Sequence, residues 1–179
     1  MQTETEIQKL IALLKDPSWV TRRNAVQALG KLGAKEAIPY LIALLKDPNN
    51  YVLSKAVEAL GDLGAKEAIP YLIALLKDPS WVVQRSAVQA LGKLGAKEAI
   101  PQLIALLKDK KCWLPTRRSA VQALVNLGAK EAIPYLIDLL KDPDPDEDVR
   151  YATIVALGKL GEENSTDTRV QKVKQLEGK

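Results

Sequence analysis

Apolar residues fall into two alternating patterns along this chain. In the first, EAIPYLIALLK from Glu36 to Lys46, Ile38, Leu41, Ile42, Leu44 and Leu45 recur at helical spacing. Pro39 does not break such a helix, because the first four N–H groups have no intrahelical partner and a proline there forfeits nothing. The helix is predicted to start near Ala34 or Lys35, with Lys46 at the negative end of its dipole. In the second pattern, SWVTRRNAVQALGKL from Ser18 to Leu32, the positions Thr21, Ala25, Ala28, Leu29 and Leu32 share one face, expected to be the core side. Asp-Pro pairs at Asp16-Pro17, Asp47-Pro48 and Asp78-Pro79 stand where this helix should start. Asp is expected as its N-cap and Pro as the next residue. Gly33 is expected to end it in the left-handed conformation. Gly30, Gly61, Gly92 and Gly158 lie inside the second helices, where each costs about 1 kcal/mol against Ala. Their presence despite that cost predicts close helix–helix crossings.

The two patterns repeat as a unit. GAKEAIPYLIALLKDP starts at Gly33 and again at Gly64, and near-copies start at Gly95 and Gly128. With Gly161, these glycines are spaced by 31, 31, 33 and 33 residues. That length suits two short helices and two tight turns, the building block of an α-solenoid. The expected fold is therefore all-α: about five helix pairs in a single domain over residues 1–179. The repeats run at about 5–33, 34–64, 65–95, 96–128 and 129–161, followed by a C-terminal cap over 162–179. In that cap Asp167 or Thr168 would start a last helix, with Val170, Val173 and Leu176 on one side.

The second-helix text, Asp-Pro followed by a valine–arginine step and then A-x-x-A-L-G-x-L-G, leads into A-I-P-x-L-I-x-L-L. This resembles the HEAT-like repeats of the phycobilisome-lyase type over about residues 7 to 161. It is also similar to the artificial alphaRep scaffolds, consensus versions of that repeat built for binding. The valine–arginine step is complete only at Val149-Arg150; elsewhere it reads Thr21-Arg22, Val52-Leu53, Val83-Gln84 and Thr116-Arg117. The resemblance implies a helical-repeat binding scaffold, natural or consensus-designed.

Subtracting the constant helix leaves the information on the second helices. Positions expected to face away from the core are Trp19, Val20, Arg23, Asn24 and Gln27 in the first repeat, and Asn50, Tyr51, Ser54, Lys55 and Glu58 in the second. The third gives Trp81, Val82, Arg85, Ser86 and Gln89, the fourth Leu114, Pro115, Arg118, Ser119 and Gln122, and the fifth Glu147, Asp148, Tyr151, Ala152 and Val155. Stacked repeats would line these up on a concave surface, the surface such arrays use for partners. Trp and Arg are enriched at binding hot spots. The candidate partner-binding residues are Trp19, Arg23, Gln27, Tyr51, Lys55, Glu58, Trp81, Arg85, Gln89, Trp113, Arg118, Gln122 and Tyr151. A Trp near a helix start also packs over its neighbouring repeat with its N–H in water, which is the competing explanation. Tyr40, Tyr71 and Tyr135 on the first helices are expected to be packing residues.

Charge follows the same division. The net charge is +4, and the constant half is neutral, so the imbalance lies in the variable parts. These are basic in repeats one, three and four and acidic in repeat five, which would give an elongated partner a preferred direction. Nucleic-acid binding in a basic groove, as in the HEAT-like alkylpurine DNA glycosylases, is the alternative, with Arg23, Lys55, Arg85 and Arg118 on phosphates. The modest net charge and acidic fifth repeat weigh against it, and such binding should fall steeply with salt.

The chain has no histidine, which removes the commonest general base and metal ligand. It thereby excludes the iron chemistry of deoxyhypusine hydroxylase, a HEAT-repeat enzyme that uses histidines. No residue supports a lyase chemistry, and neither enzyme activity, metal nor cofactor is expected. With no phenylalanine, the core must be aliphatic. The single cysteine fits a reducing cytoplasm, and the polar start MQTETEIQKL lacks the pattern of a secretion signal. No apolar run is long enough to span a membrane.

Two stretches break the rhythm. KDKKCWLPTRR, Lys108 to Arg118, inserts two residues and places four cations around Cys112, which would lower its thiol pKa. No base lies nearby in sequence, so an incidental thiol is expected. DPDPDEDVR, Asp142 to Arg150, has the alternating acids of a calcium loop without its glycine or its closing glutamate. A doubled Asp-Pro cap is the better account.

Overall fold

The computed structural model describes residues 2–141 and 146–161. Among these every regular element is a helix. The proposed cap over 162–179, and residues 142–145 of the acidic stretch, lie outside the described residues. The helices are α1 (Gln2–Leu13), α2 (Trp19–Lys31), α3 (Ile38–Ala43), α4 (Asn50–Asp62), α5 (Ile69–Leu75), α6 (Trp81–Leu94), α7 (Ile100–Lys108), α8 (Leu114–Asn126), α9 (Ile133–Leu140) and α10 (Glu147–Gly161). They form two compact units, residues 1–94 and 95–179.

In the first unit α1 packs on α2, α3 on α4 and α5 on α6, while α2 lies beside α4 and α4 beside α6. This makes one layer of first helices and one of second helices. The second unit repeats the arrangement: α7 on α8, α9 on α10, α7 beside α9 and α8 beside α10. The core of each is aliphatic, as the composition requires. Leu29, Leu41, Leu60, Leu72 and Leu91 are fully buried in the first unit, and Leu103, Leu124, Leu136 and Leu157 in the second. Each such burial is worth about 1.5–3 kcal/mol.

Turn chemistry sets the helix ends. Gly33, Gly64, Gly95 and Gly128 all have positive φ, as expected for the residue after the last helical turn. At Gly33 the chain closes a Schellman motif: Gly33 N–H donates to Gly30 C=O and Ala34 N–H to Leu29 C=O, both at 3.1 Å. Gly161 differs, because α10 continues through it.

Two expectations about helix starts change. The first helices are entered through a 3-10 turn, Lys35–Ala37 in the second repeat, so α3 proper begins at Ile38 with Pro39 in its first turn. The Asp of Asp-Pro is not the N-cap in repeats one to three. Its carboxylate instead accepts from the N–H two residues on: Asp16 from Ser18, Asp47 from Asn49 and Asp78 from Ser80, each at 2.8 Å. Each Asp thus closes an Asx turn, and the helix begins three residues later. In α4 the cap is Asn49, whose Oδ1 accepts from Tyr51 N–H at 3.0 Å and Val52 N–H at 3.3 Å. Asp146 caps α10, accepting from Val149 N–H at 3.1 Å.

The predicted core face of α2 holds only in part. Ala25 and Leu29 are buried, joined by Val26, whereas Thr21 and Ala28 are half-buried and Leu32 is exposed. Leu63 and Leu94, at the same repeat position, are buried. The helix before each of them in the second-helix layer covers that flank, and α2 has none before it.

Candidate functional site

In the first unit the outer face of the second-helix layer presents Trp19, Arg23 and Gln27 on α2, Tyr51, Lys55 and Glu58 on α4, and Trp81, Arg85 and Gln89 on α6. All are exposed or half-buried. Ser54 and Ser86, expected on this face, are buried instead. Both side chains are short enough to sit under longer neighbours, and Ser54 Oγ donates back to Tyr51 C=O at 3.3 Å.

An aromatic pair joins α2 to α4 on this face. Trp19 and Tyr51 stack with ring centroids 5.9 Å apart and planes 28° apart. The Arg23 guanidinium lies 5.6 Å from the Trp19 centroid, one turn along the same helix. Among the described residues Arg23 otherwise meets a neutral acceptor, Asn24 Oδ1, at 3.1 Å. Tyr51 occupies the repeat position of Val20, one residue past that of Trp19, so simple alignment of repeats does not reveal the stack. Lys55 pairs with Glu58 on its own helix. Arg85 is exposed and has neither an ion pair nor a hydrogen bond among the described residues.

The second unit carries the remaining candidates. Trp113, at the N-cap of α8, and Tyr151 on α10 are exposed. Arg118 reaches Asp148 at 3.3 Å, and Gln122 donates to Asn126 Oδ1 at 2.9 Å. Arg118 and Gln122 thus have partners on the chain.

Sequence reasoning missed a tie beneath the face. Arg22 donates from Nε to Asp47 Oδ2 at 2.7 Å and from a terminal nitrogen to Asp47 Oδ1 at 3.0 Å. It also donates to the carbonyls of Asp16 and Pro17, at 2.8 and 3.0 Å. One guanidinium thus joins two successive Asx turns. The hydrogen bond to Asp47 raises its pKa above the ordinary arginine range, against desolvation, and the charges of Asp47 and Asp16 add to the rise. The signal was the Arg22–Asp47 separation of 25 residues, which spans the rest of α2 and all of α3 and so returns the chain to the next entry turn. Arg117, at the corresponding position of the fourth repeat, is buried and donates to Asp109 C=O.

Cys112 is buried, and its Sγ donates to Trp113 C=O at 3.7 Å. Burial pushes the thiol above its ordinary range; Arg117 opposes this and Asp109 adds to it. The expectation of a lowered pKa is therefore overturned. Lys110 and Lys111 are exposed to water, and desolvation outweighs the one cation that bears on the sulfur. Among the described residues no group of three or more His, Cys, Asp or Glu could hold a metal ion, and no helix is long and apolar enough to cross a membrane.

Helix pairs that recur with period near 31, packed in two layers and ended by left-handed glycines, define an α-solenoid repeat protein. The family model for HEAT repeats matches residues 7–80, 44–115, 69–145 and 115–171, and the chain belongs to that family. Among solved structures, the chain is similar to the complex of CpcE and CpcF of phycocyanin lyase from Nostoc sp. PCC7120. The TM-score is 0.76 at 28% identity, covering 93% of this chain and 73% of that one. An engineered protein matches with TM-score 0.64 and 24% identity over 95% of this chain and 94% of its own. YibA of Escherichia coli matches with TM-score 0.65 and 22% identity over 93% of this chain and 62% of its own. The last two likenesses speak to the fold alone. A comparison with curated proteins finds no match.

Proposed function

We propose that the chain is a non-enzymatic scaffold that binds a protein partner on the outer face of its second helices. The carrying observation is the contrast between frame and face. The first helices repeat almost letter for letter, while the outward second-helix positions change among repeats one, two, four and five, with repeat three keeping the Trp, Val, Arg and Gln of repeat one, and Trp19, Tyr51 and Arg23 gather into one cluster. Large aromatic rings held on rigid helices lose little entropy on binding, and Trp, Tyr and Arg dominate hot spots. The likeness to the CpcE and CpcF complex, an assembly of two protein chains, supports the same reading.

The test pans a display library of small folded domains against the full chain. The selected binders are then measured on a Trp81→Ala, Arg85→Ala double variant. Its helical circular dichroism should match the parent, and binder affinity should fall by about tenfold or more, equivalent to about 1.4 kcal/mol. Retained affinity across the selected binders would place their site elsewhere. A labelled mixed-sequence DNA duplex is titrated in parallel at low and near-physiological salt. Tight binding that collapses with salt would favour the nucleic-acid reading instead.

A further inference from the structure

The charges on the first unit's face compensate unevenly. Lys55 is neutralised by Glu58 at the centre. Arg23 on one side touches an amide oxygen and an aromatic ring and has no carboxylate partner among the described residues. Arg85 on the other side is exposed and unpaired among the described residues. Arg23 and Arg85 hold the same repeat position, two repeats apart, and Ser54 holds it between them. Among the described residues, the face therefore presents two guanidinium groups without a carboxylate partner, on α2 and α6, with the Tyr51 ring and the neutralised Lys55–Glu58 pair on α4 between them.

Neighbouring packed helices lie about 8–10 Å apart, so two steps separate the guanidinium-bearing positions by about 16–20 Å. An extended chain covers that distance in about five or six residues, at about 3.3 Å each. We infer that this face takes a linear acidic peptide segment. Two of its carboxylates, about five or six residues apart when extended, pair with Arg23 and Arg85. An apolar or aromatic side chain between them lies on the Trp19–Tyr51 stack. The inference rests on the scaffold reading and specifies its partner. A nucleic-acid backbone fits less well. It carries a phosphate at every nucleotide, and the stretch passing the centre would meet the Glu58 carboxylate rather than a free cation.

Random dodecapeptides displayed on phage are panned against the full chain at near-physiological salt. Enriched sequences are synthesised with a fluorophore and titrated by anisotropy. The expected winners carry an Asp or Glu pair at the stated spacing with Leu, Tyr, Phe or Trp between. Their affinity should fall about tenfold or more on Trp19→Ala and on the Arg23→Gln, Arg85→Gln double variant. The Arg23→Glu, Arg85→Glu variant should reject these peptides and accept versions with Lys in place of the acids, a gain that misfolding cannot produce. Peptides that need Trp19 but show no acidic bias overturn this inference and leave the scaffold reading standing. Peptides indifferent to all these substitutions overturn both. A DNA duplex that displaces the peptides and itself depends on Arg23 and Arg85 replaces the acidic peptide with a nucleic acid.

Discussion

A methyl group added at Gly61 would lie 3.1 Å from both Cα and Cβ of Ala90, whereas one added at Gly30 would lie 3.3 Å from Ala59 Cβ and 3.7 Å from its Cα. Both glycines sit inside helices, where Ala is intrinsically better by about 1 kcal/mol. At Gly61 the obstacle includes backbone, so α4 and α6 must separate, and overpacking of this kind costs about 1–3 kcal/mol. Gly61→Ala should therefore lower the urea midpoint, while Gly30→Ala should leave it nearly unchanged or raise it. Equal midpoints for the two would refute the tight crossing. Legibility at this scale was mixed. The cost of a glycine inside a helix could be read as a packing signal, but the difference between these two glycines depends on a few tenths of an ångström that no spacing encodes. The thiol of Cys112 makes the same point, since the four nearby cations in sequence mattered less than burial.

At the scale of the element, the second helices are held in register by their entry turns. Asp47 accepts from Asn49 N–H to close its own turn and receives Arg22 from the preceding repeat. Its two functions separate by substitution. Asp47→Asn keeps an acceptor for the turn and removes the charge facing Arg22; Asp47→Ala removes both. The melting temperature should fall in both variants and further in Asp47→Ala. In Arg22→Met, which deletes the cation, Asp47→Asn should cost less than it does in the parent chain, a coupling that a double-mutant cycle reads directly. If the two changes simply add, the pair contributes nothing. Helix type and order were plain from periodicity. The position of each helix start was not, because Asp serves as well in an Asx turn as at an N-cap, and both precede a helix. The aromatic stack of Trp19 on Tyr51 was hidden for a related reason: its members hold different repeat positions.

The whole molecule inherits the logic of stacking. Each repeat buries its apolar face only against neighbours, so at least three repeats are needed for a stable array. Residues 1–94 contain three helix pairs, α1 with α2, α3 with α4 and α5 with α6. The described part of residues 95–179 contains two, α7 with α8 and α9 with α10. A fragment of residues 1–94 should keep the helical circular dichroism expected of its length and melt cooperatively. A fragment of residues 95–179 should melt at a lower temperature. The reverse order would mean that repeat count does not govern stability here. Fold class was legible at this scale because recurrence fixes it almost alone. The identity of a partner was not, because on the proposed reading it would reside in a few side chains whose charges are paired or unpaired according to contacts that sequence does not state.

The near-contact of Gly61 with Ala90 has a consequence for molecular taste. These two residues act as the gauge block of the array: their smallness sets how far α6 stands from α4, and hence the stride between Arg23 and Arg85. A bulkier residue at position 61 would touch no ligand and alter no displayed group. On the proposed reading it would lengthen the stride by about a few tenths of an ångström, so that the spacing of the two cations would be tuned by a residue outside the binding face.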